Sequence, residues 1–236
     1  MKLYGHPHSA CTRKVLLAVA EKGHVIELEH VDLMTGEHNR PAHLARHPFA
    51  KIPVLEDGAY TLYESGAIMR YLDQKLFGMR LTPTSPRELG RMEQWLSVEP
   101  AYLGPAIWSL MYELKVRTRF GEQPDEAEIA RAQKDVRQVF SVLDRELGLR
   151  ADKGYLAGFT YTLADICFMP AFQTLEELGQ AAMIQPYAHL HTWWTRVRAR
   201  PSFRKLIEAR SERRAQRASA RSSGSCGAHL VNAPAG

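Results

Sequence analysis

Ser9 and Cys11 stand at the start of the first helical stretch of this chain, which the apolar spacing places at Ala10 to Lys22. The first turn of a helix has unpaired backbone N–H groups and the positive end of the helix dipole, and both favour an anion. A serine hydroxyl there either donates to an anion held beside it or serves as a plain N-cap. A thiol near the same end ionises more readily and becomes a candidate nucleophile. Cys11 lies two residues further on than Ser9, and a helix beginning at Ala10 turns it toward the core. Glu64-Ser65 opens another helix, where Ser65 and its neighbouring N–H groups can cap the helix or hold a carboxylate, and Glu64 can meet an ammonium. Trp108, Met111 and Tyr112 fall at helical spacing and form either an apolar wall or ordinary core. The pairs His6-x-His8 and His189-x-His191 have no third ligand at a recognisable metal-site spacing, so no metal is expected.

These residues need a scaffold, and the pattern supplies one. Lys2-Leu3-Tyr4 reads as a strand, Ala10 to Lys22 as a helix ended by Gly23, and Val25 to Val31 as a second strand. Two strands flanking a helix of that length imply a right-handed crossover with the strands parallel. Pro41 to Arg46 reads as a short helix. Pro53 to Glu56 and Tyr60 to Tyr63 flank Asp57-Gly58, a pairing that favours an antiparallel hairpin. Ser65 to Leu76 closes the order βαβαββα. After the proline-punctuated Thr82 to Pro86 only helical periodicity follows: Glu88 to Phe120, Asp125 to Leu147, Leu163 to Leu178, Tyr187 to Arg198 and Pro201 to Arg210. Thr162 and Asp165 resemble a capping box at the start of a buried helix. The expected domains are 1–78 (α/β), 79–86 (linker) and 87–212 (all helical), with 213–236 a disordered basic tail rich in Ala, Ser, Gly and Arg.

The 236 residues suffice for a sizeable core, and the composition is that of an ordinary globular chain. The formal charge of +5 suggests nucleic-acid binding until its position is considered. From Arg204 onward seven bases face two acids, leaving twenty-four of each sign elsewhere. The charge belongs to a tail, so no nucleic acid is expected as partner. No stretch is apolar for long enough to cross a bilayer, and Met1 to Lys14 has histidines, a proline and polar residues where a secretory signal needs an apolar run. The three cysteines, Cys11, Cys167 and Cys226, show no pairing motif, and a reducing cytoplasm is the expected compartment.

The βαβαββα order, the helical second half and the Thr160 to Asp165 stretch together resemble the soluble glutathione transferases over residues 1 to about 210. Ser9-Ala10-Cys11-Thr12-Arg13 is similar to the Ser-x-x-Thr-Arg motif of the phi class. Gly36-Glu37-His38, Pro48-Phe49, Ile52 to Gly58 and Leu62-Tyr63-Glu64-Ser65 follow in phi-class order, and a bacterial phi/beta-like member is the expectation. The resemblance implies a thioredoxin-like glutathione-binding domain followed by a helical domain, and conjugation of glutathione to an apolar electrophile. It implies Ser9 as the catalytic hydroxyl that holds the glutathione thiolate, and a cis bond at Ile52-Pro53 with the Ile52 backbone facing the peptide of the ligand. Glu64 and Ser65 then meet its γ-glutamyl end, and His38 and Lys51 its glycine carboxylate. Asn39 stands where the class usually has lysine, Arg40 can substitute for it, and Ala50-Lys51 replaces the common Gly-Gln. Pro7, His8, Trp108, Met111 and Tyr112 are the expected electrophile wall. A homodimer pairing each thioredoxin-like domain with the partner's helical domain is implied as well.

Two other functions compete. Some related transferases use a cysteine near this position, which would make Cys11 the centre of a thiol transferase or peroxidase. A non-catalytic member of the fold, serving as an interaction protein, is the other, although such a scaffold has no need of Ser9, Pro53, Glu64 and Ser65.

Overall fold

β1 (Lys2–Gly5) is the strand on which the first half of the chain is built, and the computed structural model describes residues 1–150 and 154–208. It pairs in parallel with β2 (Glu27–His30) and antiparallel with β3 (Val54–Asp57), which pairs with β4 (Tyr60–Tyr63) to give the order β2-β1-β3-β4. The register sets Leu3 opposite both Leu28 and Leu55, and Leu3 and Leu55 are fully buried. The Asp57-Gly58 hairpin forms as expected, with Gly58 at φ 62. The second strand is shorter than its apolar run: Val25 is 96 % exposed and lies outside it. An edge strand has one partner only, and the four residues of β1 fix its length.

α1 (Ala10–Glu21) packs on α3 (Ser65–Lys75) on one side and on α7 (Leu163–Glu177) on the other. The apolar repeat that predicts this helix, Val15, Leu16, Val19 and Ala20, is corrected by that double contact. Val15 and Val19 are buried as read, but Leu16 and Ala20 are only half-buried, while Arg13 and Lys14 are inside. Buried charges need partners. Arg13 donates to Gln173 Oε1 (2.5 Å) and Thr174 Oγ1 (2.8 Å) of α7, Lys14 pairs with Glu99, and Lys22 reaches Asp73 Oδ1 (2.9 Å) and the Met79 carbonyl (3.1 Å). At the far end of α1, Glu21 receives both Arg200 Nε and Nη2 at 2.7 Å. The first helix is thereby fastened along its length to the helical half.

The helix expected over Glu88 to Phe120 is present but interrupted. α4 (Pro86–Val98) passes into a wider π-wound turn, Glu99–Leu103, then α5 (Gly104–Met111), then a second such turn, Tyr112–Arg117. Pro100 and Pro105 have no N–H to donate, which accounts for the first loosening. α6 (Glu126–Gly148) starts on Asp125, whose side chain accepts from Ala127 N (2.9 Å) and Glu128 N (3.2 Å). α7 is buried from Leu163 to Leu175 and opens with the capping box read from Thr162 and Asp165. Asp165 accepts from Leu156 N, Thr162 N and Trp193 Nε1, which satisfies a carboxylate with no exposed surface. The remaining α-helices among the described residues are α2 (Pro41–Leu44), α8 (Ala188–Arg198) and residues 201–208. Among the described residues no helix is long and apolar enough to cross a membrane. The basic tail expected at 213–236 lies outside the described residues.

Candidate active site

Sheet register brings the candidate residues to one end of the sheet. Val54 at the start of β3 pairs with Tyr4 near the end of β1 on one side and with Tyr63 at the end of β4 on the other. Ser9 follows β1, Ile52-Pro53 precedes β3, and Glu64-Ser65 follows β4, so all three lie beyond the same edge. α1 and α3 both start there, and two helix N-termini face one region.

Ser9 is the N-cap of α1, with φ −72 and ψ 126, and its Oγ accepts from Thr12 N at 3.3 Å. The N-cap reading and the functional one are therefore compatible: a hydroxyl that accepts from the backbone still has its own proton to donate. Thr12 is buried and has a structural task, its Oγ1 accepting from His6 N at 3.3 Å. A Cβ on Gly5 would come within 2.6 Å of that oxygen, which is why the end of β1 carries glycine. Pro7 is buried and His8 exposed. Cys11 is half-buried and interacts electrostatically with Lys14 and Cys167, both interior.

The segment from Gly36 to Pro53 supplies the next group. The Ile52-Pro53 bond is cis, as the resemblance implied. Ile52 belongs to no strand, and its N–H and C=O make no hydrogen bond with a described residue. Lys51 is exposed and in no ion pair with a described residue, as is Arg40. His38 has its Nε2 3.2 Å from Asn39 Nδ2, and an amide donating there leaves the ring proton on Nδ1. That Nδ1 is buried and has no hydrogen-bond partner among the described residues.

Ala50, in the place of the class's usual glycine, has φ 53. A left-handed backbone costs a residue with a Cβ about 1 kcal/mol relative to glycine. Ala50→Gly is therefore expected to raise unfolding free energy by about 1 kcal/mol, less the entropy glycine adds to the unfolded chain. Urea melts of both proteins measure it, and a destabilised variant would show that this strain is not felt.

Glu64 also has positive φ, 70, and occupies the N-cap position of α3 without a side-chain capping bond. Ser65 is thus the first helical residue rather than the cap, and its hydroxyl makes no hydrogen bond with a described residue. Strained backbone of this kind is retained where a site over-determines it. The apolar wall is less assembled: Trp108 (58 % exposed) and Tyr112 (41 % exposed) stand out from α5 and the turn after it, with no ring contact to a described residue. No cluster of three or more His, Cys, Asp or Glu side chains fit for a metal occurs among the described residues.

Sequence reasoning passed over His43 and His47, which underlie the Lys51 to Pro53 segment. His43 Nε2 lies 2.8 Å from the Lys51 carbonyl and His47 stacks on Tyr63 with ring centroids 4.6 Å apart. Their i, i+4 spacing was the available signal.

Comparison with known proteins gives the family and the fold. The family model described as "Glutathione S-transferase, N-terminal domain" matches residues 1–74, and its C-terminal counterpart matches residues 86–201. Glutathione S-transferase F9 of Arabidopsis thaliana is 34 % identical over 210 residues, spanning 88 % of this chain and 96 % of its own. The crystal structure of glutathione transferase F7 from Populus trichocarpa superposes with a TM-score of 0.80 at 34 % identity, covering 88 % of this chain and 97 % of that one. Glutathione S-transferase I from maize, solved with an atrazine glutathione conjugate, gives 0.77 at 28 % identity, covering 87 % and 95 %. All three are plant proteins and the first two carry F-type names, which agrees with the phi-class motifs and gives no support to a bacterial phi/beta-like assignment.

Proposed function

The chain belongs to the glutathione S-transferase family and has that activity, and from this premise we propose that Ser9 is the hydroxyl that holds the glutathione thiolate for attack on an apolar electrophile. The glutathione thiol gives its proton to solvent, its sulfur forms a bond to the electrophilic carbon, and the leaving group departs with the bonding pair. Ser9 O–H and the N-terminus of α1 favour the charged sulfur. The rest of the tripeptide is distributed over the same sheet end. His38 Nδ1–H, Lys51 and Arg40 serve the glycine carboxylate, the Ile52 backbone pairs with the cysteinyl peptide, and Ser65 with the N-terminus of α3 takes the γ-glutamyl carboxylate. Glu64 faces its ammonium.

The observation that carries this reading is the arrival of two helix N-termini, that of α1 after β1 and that of α3 after β4, at the end of the sheet where the cis Ile52-Pro53 bond precedes β3. The thiol-transfer alternative at Cys11 is weaker, since that residue's electrostatic neighbours, Lys14 and Cys167, lie in the interior. The electrophile wall of Pro7, His8, Trp108, Met111 and Tyr112, a cytoplasmic location and a homodimer belong to the same proposal. The surfaces for such a pairing are exposed Phe49 on the thioredoxin-like domain and a cavity of about 500 Å³ between α4, α5 and α6, lined by Val98, Tyr102, Pro105 and Val142.

Ser65→Ala tests the ligand assignment. Loss of a charge-assisted hydrogen bond to the γ-glutamyl carboxylate should weaken glutathione by about 1 to 3 kcal/mol in calorimetric titration. Native affinity in that variant would move the site elsewhere.

A further inference from the structure

Two buried histidines lie beneath the proposed glutathione site and take no part in it directly. His43 is 4 % exposed and His47 is 2 % exposed. His43 Nε2 faces the Lys51 carbonyl at 2.8 Å, and because a carbonyl only accepts, that nitrogen carries the proton and donates. His47 Nδ1 accepts from Phe49 N at 3.4 Å, and its ring stacks on Tyr63 with centroids 4.6 Å apart and planes 30° apart. The two imidazoles are themselves stacked at 6.5 Å and 18°. One ring thus holds the residue just before Ile52-Pro53, and the other holds the residue just before Glu64-Ser65.

We propose that His43 and His47 are positioning residues for glutathione, a two-ring clamp that fixes the distance between the segment pairing with its cysteinyl backbone and the segment taking its γ-glutamyl end. The inference rests on the assignment of those two segments to glutathione. Neither histidine touches the sulfur position by Ser9, so the clamp governs affinity and leaves thiolate activation alone.

Acid should release it. Burial pushes the His47 pKa down, His43 on α2 and Lys51 in the following loop push the same way, and Glu64 after β4 opposes them; Tyr63 is the remaining titratable neighbour. The neutral ring is therefore the native one. Its contribution is present above the ordinary imidazole value of about 6.5 and is lost as pH falls through the depressed value in the folded protein. Once protonated, Nδ1 can no longer accept from Phe49 N, and a charge is placed among groups that exclude water.

The test uses S-methylglutathione, whose sulfur has no proton to titrate, in calorimetric titrations at about pH 7.5 and about pH 5.5. The native protein should bind several-fold more weakly at the lower pH. His47→Phe keeps the stack and removes that titration, and its affinity should fall less between the two pH values than the native protein's. His43→Leu should bind about tenfold more weakly at the higher pH, and His43→Gln, whose amide can still donate to the Lys51 carbonyl, should recover most of that loss. With saturating glutathione, kcat in His43→Gln and His47→Phe should stay within about twofold of native, a split that general damage to the fold would not produce. Native affinity in a folded His43→Leu protein overturns the clamp. Ser65→Ala measured alongside separates the causes: if it weakens binding while the histidine variants do not, the clamp alone fails, and if it too binds like native, the glutathione assignment fails with it.

Discussion

Replacing Ser9 with alanine is expected to slow conjugation by about 10²-fold, the usual consequence of removing one donor aimed at a developing or resident anion. A free thiol titrates near ~8.5, and holding bound glutathione as thiolate near neutrality needs a lowering of about two units, or roughly 2.7 kcal/mol of preference for the charged sulfur. A hydroxyl hydrogen bond and a helix N-terminus together reach that amount. In Ser9→Ala the helix end remains and the hydroxyl goes, so thiolate absorbance should appear at higher pH and the rate profile should shift upward with it. Tripeptide affinity should change little, since the γ-glutamyl and glycine contacts are elsewhere. Ser9 Oγ also caps α1 through Thr12 N, and loss of a cap costs about 1 kcal/mol of stability. Ser9→Thr separates the two effects by keeping both cap and hydroxyl, and it should retain most of the rate. Cys11→Ala should conjugate like the native protein. Ultraviolet absorbance of bound thiolate against pH, with conjugation rates on the same samples, decides the matter: native thiolate pKa and native rate in Ser9→Ala would end the serine assignment. Mass spectrometry that found glutathione attached to the native protein, with thiol transfer abolished in Cys11→Ala, would centre the mechanism on Cys11 instead.

Features that depend on neighbours in sequence were legible before any coordinates. The Asp57-Gly58 hairpin, the Asp125 start of α6 and the Thr162–Asp165 capping box each need only a few consecutive residues, and all are present. The strand expected from Val25 was overextended because its limit is set by β1, some twenty residues earlier. The burial of Arg13 and Lys14 is not legible in local spacing, since their partners Gln173, Thr174 and Glu99 come from the other half of the chain. The candidate site divides the same way. The cis Ile52-Pro53 bond was implied by the motif order, whereas the positive φ of Glu64 and the buried His38 Nδ1, with no partner among the described residues, are properties of the folded backbone around them. Ala50 gave a partial hint, an alanine where the class has glycine, and the structure supplies its reason in φ 53.

The largest expected loss of stability comes from Lys14, which is 3 % exposed and pairs with Glu99, 2 % exposed, at the first π-wound turn. Burial alone would lower the pKa of the Lys14 ammonium, but the Glu99 carboxylate paired with it helps to leave the value raised, so the amine stays charged. A lysine whose folded pKa is raised contributes fully below its unfolded value of about 10.4 and loses that contribution only as pH climbs through the folded one, so the pair is intact across the neutral range. Burial pushes the Cys167 thiol up as well, keeping it protonated and able to donate to the same Glu99 Oε2 at 3.6 Å. Lys14→Met leaves the Glu99 carboxylate buried with a weak thiol donor as its remaining partner, and breaking a buried pair in this manner costs about 3 to 5 kcal/mol. Lys14→Met combined with Glu99→Leu removes both charges and fills the space with apolar atoms, and it should return to within about 1 kcal/mol of native or exceed it, because the desolvation penalty of both ions disappears. Urea melts of the native, single and double variants measure the coupling. The loss in Lys14→Met should also shrink toward acid pH, where a lone carboxylate is relieved by taking up a proton. A double variant as unstable as the sum of its singles would show that the pair fastens α1 to the helical domain by a contact no apolar packing replaces.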